Sequence, residues 1–551
     1  MTNTIKNFKF FGWIFLGYGS DHTTKKLLAA GRQCRESKKG GSLASNFLLS
    51  FFLFFIFFFC YELFVGWSTS PVKSPLQISQ YSTTSKPLPP PPPPPQLISI
   101  STLTSKPKPQ EYPLQCTSKS TTQTCPHNYP TNYSSMNPSH SSTCPDYFRW
   151  IHEDLRPWKG TGVTRKMVDA AQKTAHFRLV ILDGRMYVEK FRESLQTRDE
   201  FTLWGFLQLL RWYPGRLPDL ELMFDCDDRP MVPAKKFRRP NSGPPPLFKY
   251  CSDPWGLDIV FPDWSFWGWP ECNIKPWRNA SRDIQEGNKM VKWKDRVPYA
   301  YWRGNPHVSP WRANFVKCNA TDTTDWNIRI YTQNWDKQAK VGYKESNLKD
   351  QCTHRYKVYI EGWAWSVSEK YILGCDSMTL VVKPKYYDFF NRGMLPLVHY
   401  WPIRDNDKCK SIKFAVEWGN NHTDKAQEIG QAATRYIHEE MKMEYVYDYM
   451  LHLLTEYSKL LRFKPAIPPN AVELCAEAMA CETEGSWRKF MEESLEKSPS
   501  NGVPCTLPPP YDPSSLGTFV EKKANLTRQV EMWENEYWGK LEPNKSKAGL
   551  Y

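Results

Sequence analysis

The sequence predicts an α/β protein with two Rossmann-like lobes. Three observations carry this prediction. Short β-branched and aromatic runs alternate with amphipathic runs across about 300 residues, as strands and helices in turn would. The 551 residues exceed what one core usually supports, so two globular domains with appendages are expected. Finally, Cys352–Pro384 reads as a strand–turn–helix–strand unit. In it Lys357–Ile360 (KVYI) is a strand, and Glu361 and Gly362 break it. Trp363–Leu373 carries a helical pattern through Trp363, Val367, Tyr371 and Gly374, and Met378–Val382 (MTLVV) is a buried strand. Such a unit is either plain scaffold or a diphosphate cradle, because a helix N-terminus offers free N–H groups and a positive dipole end.

Ahead of the lobes the chain divides into three appendages. Residues 1–46 form a basic cytosolic tail of formal charge +6, and residues 47–67 an apolar transmembrane anchor. Residues 68–143, rich in Ser, Thr, Pro and Lys, read as a disordered stem of charge +4. Pro89–Pro95 stiffens that stem into an extended spacer; a ligand for proline-reading domains is the alternative. The run Phe47–Cys60 extends through Leu63–Trp67 to about the 20 residues a bilayer needs. A cleaved signal peptide is the rival reading, but the run starts late and lacks a small-x-small cleavage site. The Lys/Arg excess before it places the bulk of the chain in the lumen, a single-pass type II topology. Most of the net charge of +15 sits in these tails, which argues against a nucleic-acid partner.

Cysteine usage fits that address. Thirteen cysteines follow the anchor, with no CxxC pair and no Cys/His zinc spacing. They predict disulfides, with at least one thiol left over. Glycosylation sequons stand at Asn132, Asn279, Asn319, Asn421, Asn525 and Asn544. The sequence closes on Gly549-Leu550-Tyr551 with no KDEL-like signal, so the Golgi membrane is the expected location, with the ER as alternative.

The first lobe is expected over residues 144–295, the second over 296–480, and a C-terminal extension over 481–551. In the first, Ile151–Trp158 reads as a helix ended by Pro157. Phe177–Leu182 and Arg185–Lys190 form a hairpin through Asp183-Gly184. Thr197–Trp212 is a helix and Leu220–Phe224 a strand. In the second, Val297–Trp302 and Ile328–Tyr331 are strands ahead of the Cys352–Pro384 unit. Met394–Tyr400 and Ile412–Trp418 follow, then helices at Asp424–Met441 and Tyr445–Leu461.

Three stretches could carry chemistry. Leu220–Phe224 runs into Asp225-Cys226-Asp227-Asp228, carboxylates at the carboxyl edge of a sheet. They suit a general base, a DxD-type metal site or a merely polar loop. In Pro298–Arg312 (PYAYWRGNPHVSPWR), Arg303 follows a strand and precedes Gly304; its guanidinium can fork onto phosphate or close a structural ion pair. Phe261–Pro270 (FPDWSFWGWP) offers aromatic faces to a ligand, or fills a core. No Ser has a G-x-S-x-G setting, and His399 reads as a packed histidine.

Four stretches in this order, PDLELMFDCDDRP, YAYWRGNPHVSPWR, HRYKVYIEGWAWSVSEKYILGCDSMTLVV and LVHYWPI, resemble the Rumi-type protein O-glucosyltransferases of glycosyltransferase family 90, including their plant homologues. The resemblance covers the chain from near Cys144 to Leu461. It implies a GT-B-like fold with an interlobe cleft, a UDP-sugar donor and no cofactor or metal. It also implies inverting transfer of glucose, sometimes xylose, to a hydroxyl of a protein or glycan acceptor. By motif position it implies Asp228 as catalytic base. Arg303, Ser309, Arg312, Gly362, Trp363, Ala364, Trp365, Ser366 and Val367 would bind the donor. Trp264, Ser265, Phe266, Trp267 and Gly268 would form the acceptor loop. Two departures stand out. The animal members are soluble ER residents, whereas this chain has an anchor. Asp225 and Asp227 beside Asp228 could raise the base's pKa by repulsion, and they keep a metal-dependent transferase open. A catalytically inactive, aromatic-rich glycan-binding or wall-associated membrane protein is the other alternative.

Overall fold

A computed structural model of the chain describes residues 111–116, 125, 142–238 and 243–541. The expected tail and anchor, most of the stem, Asn132 and Asn544 lie outside the described residues. Among the described residues no helix is long and apolar enough to cross a membrane.

The first lobe grows from its hairpin. β1 (Phe177–Leu182) and β2 (Arg185–Lys190) join through Asp183 and Gly184, at φ +50° and +73°, as a two-residue hairpin turn requires. β3 (Leu220–Phe224) pairs antiparallel with β1, and β4 (Leu247–Lys249) and β5 (Ile259–Val260) continue in parallel. The sheet is therefore mixed, and its Rossmann-like part is confined to β3–β5. Parallel pairing needs a long crossover, which the tight Asp183-Gly184 turn does not provide. The helix Arg198–Trp212 between β2 and β3 is apolar on nearly every side, and Phe201, Trp204, Phe206 and Leu209 are fully buried.

The second lobe meets the Rossmann-like expectation. β6 (Val297–Gly304), β7 (Ile328–Thr332), β8 (His354–Tyr359), β9 (Met378–Val382) and β10 (Trp401–Ile403) form a parallel sheet in the order β10-β9-β8-β6-β7. From β6 the chain goes to one side for β7 and comes back to the other for β8. The order thus reverses between β6 and β8, and open parallel sheets bind ligands in the crevice at such a reversal. Trp302, Val358, Leu380, Trp401 and Ile412 fill the core behind the sheet. Two local expectations change, and a third stretch gains its structure. The helix after β8 spans only Ser368–Leu373, so Trp363–Ser366 is an irregular turn. Met394–Tyr400 is not a strand: Leu397 sits at φ +60°, incompatible with extension. Ile412–Trp418 lies inside the helix Lys408–Asn421.

Residues beyond 440 complete both lobes. The helix Met443–Ser458 returns to the first lobe, where the Tyr457 hydroxyl donates to the Glu221 carbonyl at 3.0 Å. β11 (Val472–Leu474) adds an antiparallel edge to β2. Trp204 Nε1 donates to Ser494 Oγ at 2.9 Å. The helix Pro513–Leu541 then lies on the second lobe, with Val530 buried and Ser411 Oγ donating to Glu534 Oε1 at 2.8 Å. The first lobe is thus assembled from two distant segments.

Disulfides fix that assembly. Cys116–Cys481, Cys125–Cys475 and Cys144–Cys505 join the front of the folded chain to its return segment, and Cys318–Cys409 and Cys352–Cys375 lie in the second lobe. Cys226, Cys251 and Cys272 are unpaired and buried. The described residues of the segment read as stem therefore join the body: Tyr112 N donates to the Lys497 carbonyl at 2.7 Å. Of the described sequons, Asn421 and Asn525 are exposed, whereas Asn279 and Asn319 are half-buried.

Candidate active site

The carboxylate cluster separates into three roles. β3 is buried throughout and delivers Asp225 into the interior. There Lys249 Nζ lies 3.1 Å and Arg192 Nη2 3.2 Å from its oxygens. Burial pushes the Asp225 carboxyl up, but the His176 hydrogen bond and Lys249 outweigh it and hold the group below its ordinary value. Asp227, half-exposed, pairs with Arg192 at 2.9 Å. Ligand atoms of His176, Asp225 and Asp227 come within 4.8 Å of one another, the nearest approach to the DxD reading. A divalent ion there would have to displace two cations already neutralising Asp225, and neither Asp225 nor Asp227 lines the cleft. Asp228 turns the other way. Its Oδ1 accepts from Arg198 Nη1 at 2.7 Å, its side chain keeps 26% exposure, and it lines a cavity of about 420 Å³ between the lobes.

The β6/β8 crevice also borders this cavity. Arg303, at the end of β6, is held by neutral partners: its Nε donates to the Tyr301 hydroxyl at 3.2 Å and Nη1 to Gln333 Oε1 at 3.3 Å. Its nearest carboxylate, Glu345, is 3.9 Å away and largely exposed, so the charge remains available to an anion. A Cβ on Gly304 would meet the Trp302 ring at 2.6 Å, which makes glycine the residue that fits beside this arginine. Gly362, Trp363, Trp365, Ser366 and Val367 line the same cavity. Asp228 and this turn therefore border one cavity.

Other expected donor residues act behind the wall. Arg312 is buried, and burial lowers its guanidinium to about 10. It donates from Nε to the Glu361 carbonyl at 2.9 Å and from Nη2 to the Ile360 carbonyl at 2.9 Å and Ser366 Oγ at 3.2 Å. It touches the cavity but chiefly fixes the turn after β8. Ser309 caps the helix Pro310–Phe315 through the Arg312 amide, and Ala364 is buried in the core. The Ser366 amide is spent on the Tyr359 hydroxyl at 3.1 Å, and the Ser366 and Ser368 hydroxyls lie 2.9 Å apart; both serines line the cavity together with Arg303.

Only the first residue of the expected acceptor loop reaches the cavity. Trp264 lines it, with the Arg198 guanidinium 4.6 Å over its ring. Ser265 is buried and accepts from Lys370 Nζ at 2.9 Å, while the same ammonium pairs with Asp263 at 2.9 Å. Phe266 and Trp267 are fully buried. Gly268, at φ +134°, lets the chain pass Phe490, whose Cβ would lie 2.9 Å from an added one. This loop docks the helix Ser368–Leu373 onto the first lobe. Sequence reasoning missed Arg198, Gln333 and Lys357, which line the cavity. Arg198 stands 30 positions from Asp228, and no local pattern connects them.

Comparison with known proteins places the chain in a family. The family model described as Glycosyl transferase family 90 matches residues 139–534. Protein O-glucosyltransferase 1 of Bos taurus is 28% identical over 343 residues, covering 59% of this chain and 83% of the bovine protein. The Homo sapiens protein of that name is 27% identical over the same length and coverage. O-glucosyltransferase rumi of Drosophila melanogaster is 24% identical over 335 residues, 59% of this chain and 79% of its own.

Proposed function

The chain belongs to glycosyltransferase family 90, and on that premise we propose that it is a UDP-sugar-dependent, inverting O-glycosyltransferase transferring glucose or xylose to a hydroxyl of a protein or glycan acceptor. The observation that carries the reading is that Asp228, alone of its cluster, lines the cavity that Arg303 and the β8 turn also line. Asp228 takes the proton of the acceptor hydroxyl as that oxygen bonds to the anomeric carbon. The bond from that carbon to the diphosphate breaks on the far face, so the configuration inverts. Arg303 stabilises the departing diphosphate, and Ser366 and Ser368 hydroxyls can hydrogen-bond its oxygens. Arg198 fixes the carboxylate that receives the proton. Metal-independent transfer is supported by the cations already seated on Asp225. The cellular reading is a Golgi membrane protein anchored through residues 47–67, with its disulfide-bonded domain in the lumen; five disulfides suit that oxidising compartment.

The test is a panel of nucleotide sugars offered to the purified chain, with and without excess chelator. Turnover of UDP-glucose or UDP-xylose that survives chelation is expected. Loss on chelation would favour the metal-dependent reading. Folded protein inert toward every donor would favour a glycan-binding role.

A further inference from the structure

Arg229 follows Asp228 directly but joins none of the ion pairs around it; among the described residues no carboxylate comes within salt-bridge reach. Its guanidinium carbon lies 3.9 Å from the ring centroid of Trp363, the residue after Gly362 in the β8 turn. Trp363 is 40% exposed and Arg229 is exposed as well, so core packing does not account for their meeting. On the second lobe the Trp311 indole stacks with Trp363 at 10° and 6.3 Å, and Lys385 Nζ sits 5.1 Å from the Trp311 ring. Cation, ring, ring and cation thus form one row from the base-bearing loop into the second lobe.

The second-lobe end of this row is held firmly. Trp311 Nε1 donates to the Glu361 carbonyl at 3.1 Å, and Glu361 Oε1 accepts from the amides of Lys385 and Tyr386 at 2.9 and 2.8 Å. A guanidinium on an aromatic face keeps its attraction in a wet cleft, where an exposed ion pair is nearly worthless. We propose that the Arg229–Trp363 contact is an interlobe latch that sets the distance between Asp228 and the donor cradle, with Arg229 a positioning residue acting through its neighbour. The proposal rests on the transferase reading above.

The test uses the full chain with Arg229→Ala, Trp363→Ala and the double variant. Each single change should lower kcat about tenfold, and Arg229→Ala should leave the donor KM within about twofold, because a displaced base loses rate more than binding. The double variant should fall no further than the singles, and Arg229→Lys and Trp363→Phe, which keep cation and ring, should recover most of the rate. Hydrogen exchange read in parallel should quicken at residues 226–232 and 362–368 in both alanine variants. Losses that multiply in the double variant would overturn the latch. So would a raised donor KM with kcat intact in Arg229→Ala, the mark of a direct phosphate contact. Unchanged rate and exchange in Arg229→Ala, while Asp228→Asn is dead, would sink the latch and spare the transferase. Quickened exchange in a chain inert toward all donors would do the reverse.

Discussion

In the proposed mechanism Asp228 depends on a neighbour 30 positions away, because Arg198 Nη1 donates to its Oδ1. Arg198→Met should lower kcat by about 100-fold through lost orientation, with donor KM little changed in steady-state kinetics. A rate within twofold of wild type would remove Arg198 from that role. Glu361 makes a pH prediction of definite sign. Burial raises its carboxyl to about 7, against the opposing Tyr386 and Lys385 amides. A raised carboxyl contributes stability fully present below its unfolded value of about 4.3 and lost as pH rises through the folded one. Glu361→Gln does not titrate, so its melting midpoint relative to wild type should climb between about pH 5 and about pH 8. A flat difference across that window would contradict the assignment. The Asp225–Asp228 cluster, Arg303 and the turn at Gly362 could be picked out in the sequence because each follows a strand, while only the family resemblance singled out Asp228 within its cluster. Arg198 and Gln333 were not, since only tertiary packing brings them to the cavity.

At the scale of elements, Phe261–Pro270 shows what an aromatic run hides. Trp and Phe serve ligand faces and cores with the same residues, and only burial tells them apart. Phe266 packs with Trp277 and Phe389, so Phe266→Ala should cost about 4 kcal/mol of stability in denaturant unfolding and leave the acceptor KM alone. A stable variant with a raised acceptor KM would restore the acceptor reading. The turn after β8 is the converse case. Its position was correctly read but its structure was not, because the spacing of Trp363, Val367 and Tyr371 suits a helix that begins only at Ser368. The tie of the Ser366 amide to Tyr359 and the reach of Arg312 into the turn, both tertiary, delay it.

For the whole molecule, the alternation of strands and helices revealed the α/β class and the parallel second lobe. It could not show that the chain returns after residue 440 to finish the first lobe, since β11 and the helix Gly485–Glu493 carry no long-range signal of their partner. The last helix is equally structural: Trp533 stacks on Trp401 and Trp418. A chain ending at residue 512 should lose at least about 3 kcal/mol in the second lobe and expose that tryptophan surface to a hydrophobic dye. An unchanged midpoint would make the helix dispensable. The proposed transfer turns on one carboxylate, Asp228, in the cavity that the β8 turn also lines. Its most direct test is Asp228→Asn, with sugar transfer and UDP affinity measured on the same preparation. Transfer should fall by about a thousandfold while UDP binds within about threefold of wild type. Near-normal turnover in that variant would contradict the central claim.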